Sequence, residues 1–313
     1  MEELQENVET KKTPEIKHLS ISGGGLWGFN GFGIMYKAIQ DKFIDINTIE
    51  SIYATSIGSI ISTMILLKID IDILKNYIIR RPWGNVWKIT IDDIILSYQK
   101  KGIFDKKIIV EFFSSLLKSV DLSLDITMQQ FYEYSGVELH IYTTEINRFE
   151  VVDLSFKTHP DWLLLDAIYA SCSIPSVFSP IITDEQCFID GCIFLNDPSS
   201  KCIDDVLQKG GSIDQIFSVA KKWNGTKYST SKEIQDANIF EFNRLLINKL
   251  LYVIQEIQIS EQKMTPVYEI KTFCSAYSVD DVISIMNSSE IRKRMIDEGI
   301  DNAKEYFDTI KIK

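Results

Sequence analysis

Apolar and polar positions between Ile16 and Leu67 fall into two successive strand-then-helix units. Ile16 to Ser22 alternates weakly and reads as a first strand, after which Ile34, Met35, Ala38 and Ile39 recur at helical spacing and predict a helix over Phe32 to Asp41. Ser51 to Thr55 reads as a second strand. Ile60, Ile61, Met64, Ile65 and Leu67 then predict a helix from just after Ser56 to about Lys68. Such an alternation argues for an α/β fold with a mainly parallel sheet covered by helices.

Further along, Ile71 to Val120 has a helical pattern interrupted at Arg80 to Asn85. Leu139 to Glu145 and Arg148 to Ser155 read as paired strands around a turn at Asn147, and Asp166 to Ser173 as a short helix ended by Ile174-Pro175. Phe188 to Asp190 is a strand end, and Ile213 to Ala220 another strand. A long helix over about Ser231 to Ser260, a strand at Val267 to Phe273 and a final helix over about Asp280 to Phe307 complete the pattern. With no Pro/Gly/Ser-rich linker and no internal repeat, the expectation is a flexible polar tail over 1–15 followed by one domain over 16–313.

Composition narrows the partners. The 313 residues are 45% hydrophobic and 25% charged, with a net charge of −11. That excess of acid argues against a nucleic-acid partner, because backbone binding needs a basic footprint. It also disfavours purely electrostatic docking on anionic membranes, so lipid contact would need apolar side chains or a local basic cluster. Five cysteines, with no C-x-x-C spacing, point to a reducing compartment and to no zinc site. The N-terminus has no signal-peptide pattern, and the longest apolar run, Ile60 to Leu67, is too short to span a bilayer. A cytoplasmic or peripheral-membrane location is expected.

Two stretches suggest chemistry. Ala54-Thr55-Ser56-Ile57-Gly58 resembles a nucleophile elbow, in which a serine on a sharp strand-to-helix turn exposes its hydroxyl at the sheet edge. Small neighbours are needed there; Gly58 supplies one, and Ala54 stands where glycine is usual. The preceding cluster Gly23, Gly24, Gly25 and Gly28 would then supply backbone N–H groups to an oxyanion. Taken alone, the cluster also fits a dinucleotide-binding turn or a plain structural one. The dinucleotide reading needs an acidic residue near the end of the second strand, where Ser56 stands instead. For a base, His18, His140 and His159 are poorly placed in the pattern. Asp190, in Asp190-Gly191-Cys192, stands out at a strand end, although an isolated Asp-Gly is usually only a turn.

Together these segments resemble the patatin-like phospholipase family, which has a glycine-rich oxyanion loop, a G-x-S-x-G elbow and a D-G-[GA] motif. Ala170-Ser171-Cys172-Ser173-Ile174-Pro175-Ser176-Val177-Phe178-Ser179-Pro180 looks like the family's A-S-x-x-I-P-x-x-F-x-P segment. Lys101 to Asp105, Thr127 to Phe131 and Asn196-Asp197-Pro198 match further. The resemblance covers 16–204 and fades over a divergent, helical 205–313. It implies a three-layer α/β/α fold and a serine–aspartate dyad without a catalytic histidine: Ser56 as nucleophile, Asp190 as general base, and Gly23, Gly24 and Gly25 as the oxyanion hole. Gly28, Ala54, Gly58 and Gly191 support the motifs. The implied activity is lipid acyl-ester hydrolysis of the phospholipase A or lysophospholipase type, with a lipid substrate, transient membrane contact and no metal or cofactor.

Three residues depart from the family pattern: Ala54, Cys192 and Trp27, the last where a basic residue is frequent. Their presence motivates a rival expectation, a catalytically silent lipid-binding or scaffolding protein with the same fold. Trp27 is a candidate either to line an acyl channel or to pack under the glycine loop, as a largely buried tryptophan does. Trp83 and Trp87, within Arg80-Arg81-Pro82-Trp83-Gly84-Asn85-Val86-Trp87-Lys88, combine aromatic and basic character as interfacial segments do, and both rings equally suit a place in the core.

Overall fold

The computed structural model describes residues 15–223, 231–274 and 277–312. Apart from Glu15, the tail expected over 1–15 lies outside the described residues. In chain order the elements are β1 (His18–Ile21), α1 (Gly28–Gln40), β2 (Ser51–Thr55), α2 (Ile57–Leu66), α3 (Ile71–Arg80), α4 (Trp83–Val86), α5 (Ile91–Lys100), β3 (Gly102–Phe104), α6 (Lys107–Ser119) and α7 (Met128–Ser135). They continue through β4 (Glu138–Glu145), β5 (Glu150–Leu154), α8 (Leu164–Cys172), β6 (Ser176–Phe178), β7 (Ile181–Ile182), β8 (Cys187–Asp190), α9 (Ser199–Gln208) and β9 (Ile216–Trp223). The remainder is α10 (Ser231–Asp236), α11 (Ile239–Glu261), β10 (Tyr268–Cys274), α12 (Val279–Asn287) and α13 (Ser289–Ile312).

Eight strands form the central sheet in the order β10-β9-β1-β2-β4-β8-β7, with β5 also paired to β4. The run β10-β9-β1-β2-β4 is parallel, whereas β5, β8 and β7 join by antiparallel pairing. Side chains alternate across each strand, so the sheet has two apolar faces to cover. Leu19, Ile21 and Ile52 enter the larger core with α1, α2, α8 and α13, while Tyr53, Tyr142 and Ile216 enter a smaller one with Cys202, Ile203 and Val206 of α9. Helices on both sides give the expected α/β architecture. Between Ser56 and Leu67 the chain is almost continuously buried, which explains why α2 is apolar around most of its circumference.

Several boundaries differ from the sequence pattern, each for a local reason. Helix α1 begins at Gly28, four residues before Phe32, because a single 3-10 turn over Gly25–Trp27 feeds directly into it. The long helix expected over 231–260 is two, and the Asn238 side chain caps the second by accepting the N–H of Glu241 at 3.1 Å. Ser288, extended at φ −118°, likewise divides the expected final helix, and its hydroxyl caps α13 through the N–H of Ile291 at 3.2 Å. β9 starts at Ile216 because Ile213–Gln215 forms a 3-10 turn.

The C-terminal helix lies against the helix that carries the glycine loop. A side-chain carbon on Gly33 of α1 would come 2.1 Å from the Ile296 carbonyl oxygen of α13, and one on Gly299 would come 2.0 Å from that of Asn30. Backbone therefore meets backbone at this crossing. Gly33→Ala is expected to force the helices apart at a cost of about 1–3 kcal/mol, read as a lower midpoint in urea denaturation; an unchanged midpoint would show that the crossing yields freely.

Candidate active site

The site is assembled by strand pairing. Along β4, residues Glu138 to Tyr142 pair with β2, ending at Thr55↔Tyr142, and Thr143 to Glu145 pair with β8, starting at Thr143↔Asp190. β5 overlaps both stretches of β4, so it must occupy the opposite edge. Hence β2 and β8 share one edge of β4 and run toward each other. Their C-terminal ends meet beside the consecutive residues Tyr142 and Thr143, which brings Ser56 and Asp190 together across 134 residues of chain.

Ser56 occupies the sharp turn that the sequence predicts. Its backbone lies at φ 52°, ψ −125°, a region that a non-glycine residue enters only under strain, and α2 starts at the next residue. Three contacts hold the turn: the Ser56 N–H donates to Ser171 Oγ at 2.7 Å, Ser171 Oγ donates to the Tyr142 carbonyl at 2.6 Å, and Ser59 Oγ donates to the Ser56 carbonyl at 2.6 Å. Gly58 is needed for proximity, since a side-chain carbon there would lie 2.2 Å from the Ile21 carbonyl oxygen of β1. Ala54 is buried within β2 and is not among the residues with positive φ, so its methyl group is tolerated without backbone strain.

Ser56 Oγ donates to Asp190 Oδ2 at 2.7 Å, and the Cys192 N–H donates to Asp190 Oδ1 at 2.8 Å. Cys192 thus contributes through its backbone, which its replacement of a smaller residue leaves intact. Asp190 has no solvent exposure and Ser56 only 4%. Burial pushes the Asp190 carboxyl up to about 6, against the lowering effect of its hydrogen bonds from Cys192 and Ser56. Gly191 admits the close approach of this turn to the Tyr142 carbonyl, 2.3 Å from where a side-chain carbon would sit.

The glycine loop approaches from β1. A side-chain carbon on Gly23 would lie 3.2 Å from Ser56 Cβ, so the loop passes directly beside the serine. The Gly23 N–H, however, donates to the Asn196 carbonyl at 2.8 Å and is not available to an oxyanion. Among the described residues, the N–H groups of Gly24 and Gly25 have no such acceptor. Gly25 also has φ 57°, which suits glycine. Gly28 lets α1 and α2 pack, its missing side chain leaving room for Ile57.

Trp27 and Trp83 take the packed position that the sequence left open beside a lipid contact. Trp27 is buried beneath the loop, with its indole N–H donating to Thr272 Oγ1 at 2.7 Å. Trp83 is also buried; its indole donates to the Ile78 carbonyl at 2.8 Å and stacks on Phe112 with centroids 5.0 Å apart. Neither offers a lipid-facing surface, because packing and an internal acceptor satisfy both the ring and its N–H. Trp87 is half-buried, edge-on to Phe104 and Phe178.

None of the histidines joins the site. His18 bonds Ser51 Oγ at 2.8 Å. His159 bonds its neighbour Thr158 Oγ1 at 2.9 Å. Burial alone would lower the His140 imidazole, but a hydrogen bond with Asp153 at 2.7 Å and the Glu138 carboxylate 3.6 Å away raise it to about 9. Glu138, His140 and Asp205 bring ligand-type atoms within 4.8 Å of one another at the opposite end of the strands, where the Lys209 ammonium bridges Glu138 and Asp205 at 2.9 and 2.8 Å.

Three contributors were given no role by the sequence. Ser171 belongs to a segment used only as a family signature, and its support of the elbow depends on tertiary contact. Asn196 sits over Gly23, with its buried side-chain nitrogen making no hydrogen bond among the described residues. Lys221 in β9 places its side chain 3.0 Å from where a Gly24 side-chain carbon would be, and burial lowers its ammonium to about 8. A lysine within a strand has no sequence signal for such a position.

A model of the patatin-like phospholipase family matches residues 19–200, and the chain belongs to that family. It is therefore a patatin-like hydrolase by descent. It is 28% identical over 203 residues to an uncharacterized protein of Acanthamoeba polyphaga mimivirus, covering 64% of this chain and 67% of that protein. It is 27% identical over 189 residues to a probable lipid hydrolase of Invertebrate iridescent virus 6, covering 60% of this chain and 63% of the other. Its fold is similar to that of VipD from Legionella pneumophila, with a TM-score of 0.54 at 14% identity over 95% of this chain and 67% of that one.

Ser171→Ala would leave the buried Ser56 N–H and Tyr142 carbonyl without their shared partner. A loss of about 1–3 kcal/mol in chemical denaturation is expected. Wild-type stability would show that the elbow holds without this bond.

Proposed function

We propose that the chain is a serine lipid acyl hydrolase of the phospholipase A or lysophospholipase type, cleaving carboxylic esters of membrane lipids through an acyl-enzyme on Ser56. The observation that carries the reading is the 2.7 Å hydrogen bond from Ser56 Oγ to a fully buried Asp190 carboxylate, at an elbow held at positive φ. Family membership and the viral relative described as a probable lipid hydrolase support the substrate class.

In this mechanism Asp190 takes the proton from Ser56 Oγ as that oxygen attacks the ester carbonyl carbon. The carbonyl oxygen becomes an oxyanion, held by the N–H groups of Gly24 and Gly25. Each such donor is worth on the order of 3–4 kcal/mol in the transition state. Collapse breaks the ester C–O bond, and the leaving alcohol takes the proton back from Asp190. Water then attacks the acyl-serine, giving its proton to Asp190, and the fatty acid departs as Ser56 Oγ is reprotonated. A base near pKa 6 suits this exchange: it is ionised at neutral pH yet more basic than an exposed aspartate. The positive charge of Lys221 beside Gly24 adds favourable field at the loop.

A serine-directed fluorophosphonate should label wild type and leave Ser56→Ala unlabelled. Absence of label on folded wild type would favour the silent scaffold, and label persisting in Ser56→Ala would place the nucleophile elsewhere. Asp190→Asn should lower fatty-acid release from defined lipids by about 10^2- to 10^4-fold. Because the base must be deprotonated, kcat/KM on a soluble ester should fall as the pH drops through about 6, approaching tenfold per pH unit on the acid side. A flat profile down to pH 4 or so would exclude a buried carboxylate of this kind as the base.

A further inference from the structure

Helix α11 carries its polar and apolar residues on the reverse sides from those of a water-facing helix. Ile239, Phe242, Leu246, Leu250, Val253 and Ile257 are all exposed, from 43% at Phe242 to 65% at Ile239. At about 100° per residue they fall within roughly 80° of one another. The opposite side turns polar groups onto the protein. Arg244 donates to the Tyr277 carbonyl at 3.1 Å, Gln255 to the Lys221 carbonyl at 3.3 Å, Gln258 to the Phe194 carbonyl, and Gln262 to Ser199 Oγ at 3.2 Å. Hydrogen bonds to the turns around the site thus fix the helix with its apolar stripe outward.

A second exposed apolar face stands nearby. Ile91, Ile94, Ile95, Leu96 and Tyr98 of α5 are exposed, and α5 leads directly into β3. β3 pairs with β6 in a two-stranded sheet, and α11 packs against β6 and against the Gly191–Ile193 turn that follows Asp190. The two apolar helices therefore flank one small sheet beside the site. An exposed apolar stripe like that of α11 marks a partner.

Geometry and charge say which partner. From Ile239 to Ile257 the stripe takes five steps in 18 residues, about 3.6 residues per step, which keeps it straight along the helix. A stripe that winds around a second helix repeats every 3.5 residues or so. A straight stripe suits a plane. Beneath α11, a cavity of about 310 Å³ is lined by Lys221, Lys222, Lys271 and Asp197; Lys221 is buried and Lys271 pairs with Glu269 at 2.9 Å, while Lys222 and, just past the helix end, Lys263 are exposed. This is a local basic cluster on a chain of net charge −11. It complements anionic headgroups and not a second acidic copy of the chain.

We infer that the outward faces of α11 and α5 form a docking surface for anionic lipid bilayers, with the lysine-lined cavity facing the headgroups. The inference rests on the lipid-hydrolase reading for its purpose, but its test does not. Ser56→Ala protein is sedimented with vesicles of equimolar phosphatidylcholine and phosphatidylglycerol, where it should bind, and with phosphatidylcholine alone, where it should bind less. In that background Leu246→Asp/Leu250→Asp should weaken partition about a hundredfold, near tenfold per leucine removed from lipid, and Ile94→Asp/Ile95→Asp should weaken it independently. The pairs Leu246→Gln/Leu250→Gln and Ile94→Gln/Ile95→Gln, checked by melting temperature against the parent, distinguish lost docking from lost folding. Undiminished binding by folded variants, equal binding to neutral vesicles, or a stripe buried in a dimer by light scattering would each overturn the inference. Hydrolysis retained by Ser56→Ala would instead overturn the proposed function and leave the binding result standing.

Discussion

The site depends on two strands sharing one edge of a third. β2 and β8 advance on β4 from opposite directions and stop at adjacent residues, so the residue after one strand and the last residue of the other must touch. Main-chain hydrogen bonds along β4 set that register, and a slip of one residue would turn Asp190 to the other face of the sheet. The dyad-like contact is thus a property of pairing. Side-chain attraction between Ser56 and Asp190 adds to it without having to create it.

Other features follow from the crowding that this meeting imposes. Helix α2 must leave the sheet at once, which requires positive φ at Ser56 and no side chain at Gly58. The turn after Asp190 must fold back over Tyr142. In doing so it hands its carbonyls to the two neighbouring segments, Leu195 to Thr55 Oγ1 at 2.8 Å and Asn196 to the Gly23 N–H at 2.8 Å. Elbow, carboxylate and glycine loop are consequently coupled through short polar contacts in a nearly dry interior, where each bond is strong and each unmade bond is costly.

How much of this could be read from the residues depended on the range of the interaction. The elbow and the glycine loop are contiguous in sequence, and their composition states their geometry. Asp190 is different. By itself it is an Asp-Gly turn, and only resemblance to a family gave it a role, because its position is set by pairing with Thr143 on a strand far earlier in the chain. Gly23 could not be told from Gly24, since the difference lies in the Asn196 carbonyl. Trp83 carried a misleading neighbourhood: Arg81 lies over its ring and pairs with Glu111 at 3.2 Å, so the basic residues belong to a packed corner and not to an interface. Over 239–257 the pattern gives a helix but not the direction in which its apolar side faces. Apolar residues repeat identically whether they point at a core or away from one.

The indole of Trp27 bonds a threonine 245 residues later, and β1 lies between β2 and β9. The segment with the family's motifs is therefore not self-sufficient. A growing chain that has already made Ser56, Asp190 and the glycine loop still has one flank of β1 open and nothing beneath that loop. Assembly must wait for contacts of very long range, which are slow to form. The hydrolytic apparatus is then among the last parts of the molecule to become ordered during synthesis, and a nascent chain carries the residues for attacking lipid well before it has the architecture.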